Sequence, residues 1–193
     1  MQSQLEGLKN QIKPHFLFNS LNALAGLIPK DGKRAIRYVN KLSAVFRYLL
    51  EIDDTPLISL EEELAFLHAY AYLQKERFGD NLVVDIDIDP SYYHKMIVPL
   101  SLQILFENVI KHNILSDEKP LRVNIFINDQ GKITVENNLQ LKDLPPSSTK
   151  IGLENIKKRY AFIVENAVDV QDTSSSFSVS LPLVQNPEVI LSV

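Results

Sequence analysis

A histidine that follows a proline within a helical pattern is the residue of this 193-residue chain best suited to nucleophilic chemistry. Pro14 cannot donate to the carbonyl of Asn10, so the helix should bend beside His15. At about 100° per residue, His15, Asn19 and Asn22 gather on the side opposite an apolar stripe. The stripe consists of Leu17, Leu21, Leu24 and Ile28. We therefore expect His15 to face solvent or a partner, where a neutral imidazole is a nucleophile near pH 7. Taken alone, a helical histidine is more often a surface or capping residue, and it is the surrounding residues that favour the chemical role.

Three motifs follow one another along the chain. The first is Pro14 to Asn19 with Leu21-Asn22, the second is Pro99 to Gln103 leading into Phe106 to His112, and the third is Ile151 to Tyr160. In this order they resemble the H-box, the N-box and the last glycine box of sensor histidine kinases of the LytS/YehU type. The resemblance covers nearly the whole chain and implies the cytoplasmic core of such a kinase.

The resemblance assigns nucleotide chemistry to the second motif. Asn108 would be a ligand of the Mg²⁺ that accompanies ATP, since Mg²⁺ takes oxygen ligands. Lys111 and His112, one turn on, would lie near the phosphates, although an ordinary amphipathic helix with a wet face would carry the same residues. Glu107 is either a catalytic base or a solvated surface carboxylate. Ile104 stands where related ATPases carry the glutamate that activates water, so transfer to a histidine is favoured over hydrolysis.

Two segments depart from the family pattern. Asn137 stands at the position of the aspartate that accepts from the adenine amino group, so its amide oxygen would accept without a charge. Leu139 lies near the expected glycine and could crowd the pocket. In the last box, Lys150 replaces a glycine and could either neutralise phosphate or block the loop. Gly152, followed by Leu153, keeps the unrestricted backbone of glycine.

The resemblance makes His15 the phospho-acceptor. In many such kinases an acid follows the acceptor directly and draws its proton, but Phe16 occupies that place here. Another group, or the neutral imidazole alone, must then supply the nucleophile. Asn19, one turn on, could orient a water against the acyl phosphate of a response regulator and so support phosphatase activity. It could also be a helix-surface residue without a catalytic role.

The elements that must carry these residues begin with three helices in the first 80 residues. Asp31 can cap the second helix, whose apolar residues recur at helical spacing. These are Ile36, Val39, Leu42, Phe46 and Leu49. Ser59 and Glu62 make a capping box that opens a third helix, which ends near Gly79. Two apolar helices hide only part of their stripes in a monomer, so we expect a homodimer completed as a four-helix bundle.

From Leu82 the apolar period changes from about 3.6 to 2 residues, which predicts half-buried strands. They are expected at 82–88, at 123–127 and 133–135 around a turn at 129–132, and at 168–170 and 177–181. With helices at about 99–114 and 151–165, the fold class is α+β. The resemblance divides the chain into a helical dimerisation and phospho-acceptor hairpin (1–78), a GHKL-type (Bergerat) α/β sandwich for ATP (79–185) and a tail (186–193). Only the segment from Lys142 to Ser148 has the composition of a mobile loop.

Composition argues against several other classes of function. A net charge of −4 without a basic block argues against nucleic acid as a partner. The absence of cysteine excludes a disulfide framework, a thiolate nucleophile and a cysteine-based zinc site. No apolar run of 18 residues and no signal-peptide pattern occurs. Because LytS-type kinases usually carry sensor segments upstream, we expect a fragment from the cytoplasmic side of a longer, membrane-anchored protein.

The resemblance implies ATP- and Mg²⁺-dependent autophosphorylation of His15, followed by transfer to an aspartate of a response regulator. The family alone indicates a regulator of the LytTR type. The alternative is a pseudokinase or interaction scaffold, which keeps the fold and the dimer but binds nucleotide poorly and signals by docking a partner. A generic nucleotide hydrolase is disfavoured by Ile104.

Overall fold

The computed structural model describes residues 14–52, 55–142, 150–163 and 168–185. Within these ranges the chain forms two compact units. The first contains residues up to 55 together with 65–79, and the second contains 56–64 together with residues from 80 onward. The predicted bend at Pro14, most of the predicted loop at 142–148 and the predicted tail at 186–193 lie outside the described residues. In the described part, no helix combines the length and apolarity needed to cross a bilayer.

Three helices form in the first part of the chain, as the sequence predicts. They are α1 (Pro14–Leu27), α2 (Gly32–Glu51) and α3 (Leu60–Phe78). Asp31 caps α2 by accepting from the backbone N–H groups of Lys33 and Arg34, both at 3.0 Å. The Ser59 hydroxyl accepts from the N–H of Glu62 at 3.2 Å and opens α3. Gly79 follows α3 in the left-handed region, with φ of 58°.

Aromatic side chains hold the first unit together. Phe16 of α1 stacks on Tyr70 of α3, with ring centroids 5.3 Å apart, and Tyr48 of α2 stacks on Phe66 at 4.4 Å. The buried face of α2 adds four residues at heptad spacing, Ala35, Tyr38, Leu42 and Val45.

The buried face of α2 differs from the predicted stripe. Of the five residues predicted, only Leu42 is buried, whereas Ile36 and Val39 are 65% and 44% exposed. The helix carries two adjacent apolar faces, and the hydropathy pattern alone does not distinguish the buried face from the exposed one. The outward face contains Ile36, Val39 and Leu50, and Phe46 lies at its border, half-buried against Phe16. A similar outward face on α1 contains Phe18, Leu21, Ala25 and Ile28.

The second unit is a five-stranded mixed sheet covered by helices. The strands are β2 (Leu82–Asp87), β4 (Leu121–Ile127), β5 (Ile133–Asn138), β6 (Asp169–Asp172) and β7 (Ser176–Leu181). They pair in the order β2-β4-β5-β7-β6, with β2 and β4 parallel and the other pairs antiparallel. A separate short pair joins β1 (Ile58–Ser59) to β3 (Met96–Ile97). The predicted turn at 129–132 connects β4 to β5, with Gly131 at φ of 72°.

One helix, α4 (Ser101–His112), packs on β4 and β5, and a second, α5 (Lys150–Ala161), packs against α4. Apolar side chains from α4 and from the central strands form a buried core between the layers. It includes Leu102, Phe106, Val123, Ile125, Ile133 and Val135. The predicted α+β fold class is thereby confirmed, with helices preceding a helix-covered sheet.

A buried carboxylate lies at the beginning of α4. Glu63, in the first turn of α3, is fully buried and accepts from the N–H groups of Leu100 and Leu102, each at 2.9 Å. Burial raises the pKa of Glu63 from 4.5 to about 7, although the two N–H bonds and the charge of Arg159 oppose this shift. The carboxylate is thus partly protonated near neutral pH.

We expect Glu63 to make stability depend on pH. Because its pKa is higher in the folded than in the unfolded state, the folded protein binds more protons between pH 4.5 and 7. This contribution is therefore lost as pH rises through that window, by on the order of 2 kcal/mol between pH 5.5 and 8.5. Urea unfolding gives the free energy of unfolding of wild type and of Glu63→Gln at both pH values. The contribution of Glu63 is the change, between the two pH values, in the difference between the two proteins. Glu61→Gln, at an exposed neighbour, should keep the wild-type slope, and a difference independent of pH would contradict the assignment.

Candidate nucleotide site

A cavity of about 480 Å³ lies between α4, α5 and the sheet of the second unit. Its volume falls within the range of small-molecule sites. The apolar part of its lining comes from α4 and the sheet, with Leu105, Val109, Val135, Phe177 and Val179. Polar side chains enter the same space from several elements, namely Asn108, His112, Asn137, Glu154, Lys157 and Asp172. An apolar slot with a few polar groups suits a flat base attached to a charged tail.

Asn108 lies on α4 against the first turn of α5. A methyl group added to Gly152 would lie 3.2 Å from Asn108 Nδ2 and 3.2 Å from Ile104 Cγ2. The glycine thus permits a close approach of the two helices. Its backbone is helical, and among the described glycines only Gly79 and Gly131 adopt positive φ. The sequence singled out Gly152 for its unrestricted backbone, whereas in the structure it is the missing Cβ, and not an unusual φ, that allows this close contact.

His112 ends α4 with its imidazole inside the cavity lining. Both ring nitrogens are buried and have no hydrogen-bond partner within the described part of the chain. Burial, followed by the positive charges of Lys111 and Lys142, lowers the pKa of His112. The ring is therefore neutral at pH 7, and either nitrogen can bond to a ligand in the cavity.

Asn137 is 2% exposed at the end of β5, where its side chain lines the cavity. The amide nitrogen donates to the carbonyl of Asn138 at 2.7 Å, which fixes the orientation of the group. The amide oxygen is then the acceptor that this residue can present to a ligand. Leu139 also lines the cavity, as the sequence anticipated, without closing it.

The other residues predicted for the site do not all line the cavity. Leu153 lines the cavity, but Glu107 and Lys111 do not, and Lys111 is exposed. Glu107 instead accepts from Gln103 Nε2 at 2.9 Å along the same helix. The side chain of Lys150 lies outside the described residues.

Several cavity residues were missed by sequence reasoning, and three of them show why. Asp172 comes from β6, Phe177 from β7 and Lys157 from α5. No motif contains Asp172 or Phe177, and only the order of strands in the sheet brings them to the cavity. Lys157 does lie in the third motif, where its position one turn after Leu153 on the same helix could have revealed it.

In the first unit, His15 is exposed on α1. Asn19 Nδ2 lies 3.1 Å from His15 Nδ1 and 3.2 Å from Nε2. The amide is thus within reach of either ring nitrogen. Phe16 points away from this face and packs in the aromatic cluster with Tyr70 and Phe46.

Residues 3–82 match the sequence model of the histidine kinase family, described as "Histidine kinase". The sensor protein LytS of Streptococcus mutans is 36% identical over 160 residues, which cover 81% of this chain and 27% of that protein. The sensor histidine kinase/phosphatase LytS of Staphylococcus aureus is 26% identical over 190 residues, which cover 90% of this chain and 32% of that protein.

The chain is related to LytS-type sensor histidine kinases. This confirms the resemblance that the three motifs indicate. The LytS-type chain spans about a quarter to a third of the length of the curated relatives it matches. A solved histidine kinase domain from Erythrobacter litoralis EL346 aligns over 94% of both chains at 15% identity, with a TM-score of 0.46.

Gly152→Ala in this LytS-type chain should weaken nucleotide binding without unfolding the protein. The new methyl group must displace the Asn108 amide or Ile104, and a loss of one hydrogen bond to the ligand would weaken affinity about threefold to tenfold. Helix propensity favours alanine by about 1 kcal/mol, which offsets the strain.

Titration calorimetry with an ATP analogue and urea unfolding together measure the two effects. Gly26→Ala is the matched control, because Gly26 is also helical and has no atom within 4 Å of an added methyl group. Equal affinities for wild type and Gly152→Ala would contradict the assigned contact.

Proposed function

We propose that this chain is the cytoplasmic catalytic core of a two-component sensor histidine kinase, which phosphorylates His15 from ATP and passes the phosphoryl group to a response-regulator aspartate. The observation that carries the proposal is the cavity beside Asn108 and Gly152, in a chain whose first 82 residues include the histidine kinase match. His15 lies exposed in that matched segment.

ATP is proposed to occupy the cavity with its base between the apolar residues of α4 and the sheet. The Asn137 amide oxygen accepts from the adenine amino group, and His112 and Lys111 lie toward the phosphates. The Asn108 side chain would hold Mg²⁺, which neutralises phosphate charge when bound. The close fit of Asn108 against Gly152 supports this assignment, because it places the amide at the contact of α4 with α5, in the cavity lining.

The proposed reaction transfers the γ-phosphoryl group to a ring nitrogen of His15. A bond forms between that nitrogen and phosphorus, the bond from phosphorus to the β-phosphate oxygen breaks, and ADP leaves with the electron pair. The other ring nitrogen loses its proton once the phosphorus–nitrogen bond has formed. Catalysis then consists mainly of positioning and charge neutralisation, as phosphoryl transfer generally requires.

Asn19 is proposed to orient reactants at His15. Its amide reaches either imidazole nitrogen, so it can fix the ring before phosphorylation. The same amide could position a water for dephosphorylation of the response regulator. The name of the Staphylococcus aureus relative, a sensor histidine kinase/phosphatase, supports testing that second activity. Glu107 remains a candidate base, although its bond to Gln103 and its place outside the cavity favour a structural role.

A homodimer is proposed to form through the outward faces of α1 and α2. The α1 face repeats at intervals of three and four residues, and the α2 residues fall on positions of the same heptad, which is the spacing of a four-helix bundle seam. Phe18, at 65% exposed, and Ile36, also at 65%, lose this exposure only when another surface covers them. A second copy of the same two helices has the matching pattern.

The whole protein is proposed to extend beyond this chain, with a membrane-anchored sensor region upstream. The length of the relatives supports this proposal, since the chain corresponds to only part of them. A response regulator of the LytTR type is the proposed phosphoryl acceptor.

A scaffold without kinase activity is the second candidate. The observation in its favour is the amide of Asn137, which gives adenine a neutral acceptor where a charged one would bind more strongly. Titration calorimetry with ATP and Mg²⁺ separates the two functions. Absence of binding at millimolar nucleotide would favour the scaffold.

His15→Gln should abolish phosphorylation. Incubation of wild type with γ-labelled ATP and Mg²⁺ should give an acid-labile label, because phosphorus bound to nitrogen is hydrolysed in acid. The variant should retain its helix content and oligomeric state, since His15 is exposed. His68→Gln, which removes an exposed histidine of α3, should label like wild type. Label that persists in His15→Gln would refute the phospho-acceptor assignment.

Val39→Glu should convert the proposed dimer into a monomer. The new charge would be buried in the seam without a partner, whereas within one copy the position is 44% exposed and tolerates it. Sedimentation at tens of micromolar measures the change. Asn40→Glu, at the next exposed position, should remain dimeric. A monomeric wild type under these conditions would mean that the two faces do not associate.

A further inference from the structure

The helix that carries Asn108 begins without a cap of its own. Leu100, the residue before α4, adopts a left-handed conformation with φ of 63° and offers no side-chain hydrogen bond to the helix. Such a backbone is unfavourable for a leucine and persists only when its surroundings hold it. Ser101 does not cap the helix either, because its hydroxyl donates to the carbonyl of Val98 at 2.7 Å.

Groups distant in sequence hold this turn from two sides. The two carboxylate oxygens of Glu63 accept from the N–H groups of Leu100 and Leu102, 37 and 39 residues away. Arg159 of α5 donates to the carbonyl of Pro99 at 2.9 Å. The segment that starts α4 is therefore tied both to α3 and to the helix that contains Gly152.

The position of α4 matters because its contact with α5 is tight. Asn108 lies about two turns beyond the Glu63 bonds, and a methyl group added to Gly152 would lie 3.2 Å from its amide nitrogen, which is closer than ordinary van der Waals contact. A small shift or rotation of α4 would therefore move the Asn108 amide and the His112 ring relative to the cavity. We propose that Glu63 is a positioning residue for the nucleotide site, which sets the location of Asn108 by holding the Leu100 turn with an ionised carboxylate. This inference rests on the proposed nucleotide-binding function.

Protonation should weaken this hold. An ionised carboxylate accepts at both oxygens, whereas a carboxylic acid uses one oxygen to carry its proton and no longer accepts equally at both. The charged and titratable groups near Glu63 are Arg159 and Tyr160 of α5 and Glu62 of α3. Burial raises the pKa of Tyr160 far above neutrality, so its phenol stays neutral. Arg159 favours the ionised carboxylate and Glu62 opposes it.

The test compares the pH profiles of nucleotide affinity for wild type and Glu63→Gln. A non-hydrolysable ATP analogue with Mg²⁺ is titrated at pH 6.0, 7.0 and 8.5. At pH 8.5 the variant should bind about threefold to tenfold more weakly. At pH 6.0 the two affinities should converge, because wild type has then lost its ionised clamp. Effects of His112 and of the nucleotide phosphates occur in both proteins and cancel, and Glu61→Gln, at an exposed position of α3 that does not shift the pKa of Glu63, should follow wild type.

Arg159→Gln provides a second variant if Glu63→Gln fails to fold. Removal of the guanidinium should move the midpoint of the pH profile to higher pH, which a residue with a merely structural role would not do. Lys158→Gln, at an exposed neighbour on α5, should leave the midpoint unchanged. An unchanged midpoint in Arg159→Gln would count against the proposal.

The outcomes separate this inference from the function on which it rests. Wild type that binds the analogue with the same profile as Glu63→Gln overturns the positioning role alone. Wild type that binds no analogue at any pH overturns the proposed function. In that case the side-chain amide resonances of Asn108 in the free protein still decide whether Glu63 positions this residue. They should titrate near pH 7 in wild type and lose that step in Glu63→Gln, and their failure to do so would overturn the positioning claim.

Discussion

The first backbone N–H groups of α4 need hydrogen-bond acceptors that lie outside α4. The first N–H groups of any helix lack intrahelical partners, and here they lie in a buried layer where water does not supply one. Glu63 meets this need with a negative charge at the positive end of the helix dipole. At the other end, the Lys142 ammonium group donates to the carbonyl of Ile110 at 3.0 Å. Both ends of the helix are thus completed by ionisable side chains from other elements, and the α3 start, the β1–β3 pair and the cavity all depend on where this helix lies.

Several residues of the candidate site lie on α4, so the position of this helix determines where they are. Asn108 and His112 are separated by about one turn on α4, so they face the same cavity. Apolar residues of the same helix, including Leu105 and Val109, form part of the cavity wall. One rigid element therefore supplies both the polar groups and the surface against which a base would stack. The remaining polar residues come from strands and from α5, which are held to α4 by the common core.

Sequence patterns among neighbouring residues predicted the local structure well. They did not predict interactions between residues that are distant in the sequence. Asp31 and Ser59 cap helices because their side chains reach N–H groups only two or three residues away. Three consecutive glutamates open α3, and no local rule tells which of them is buried. Glu63 is identified only by bonds to residues almost forty positions away. Likewise, α2 has two adjacent apolar faces, and the choice between Tyr38 and Val39 as the buried residue depends on the neighbouring helices. Asp172 entered the cavity through the strand order, which hydropathy does not specify.

One part of α3 belongs to each unit, and this limits where the chain can be divided without breaking the second unit. A natural place to separate a phosphotransfer region from a nucleotide-binding region would be the glycine turn after α3. A sandwich excised at that turn would lose β1, the strand partner of β3, and with it Glu63. Its Leu100 turn would then have no acceptor for its N–H groups. Recombination between relatives would keep the second unit intact only if the junction preceded Pro56 and the first turns of α3 travelled with the sheet.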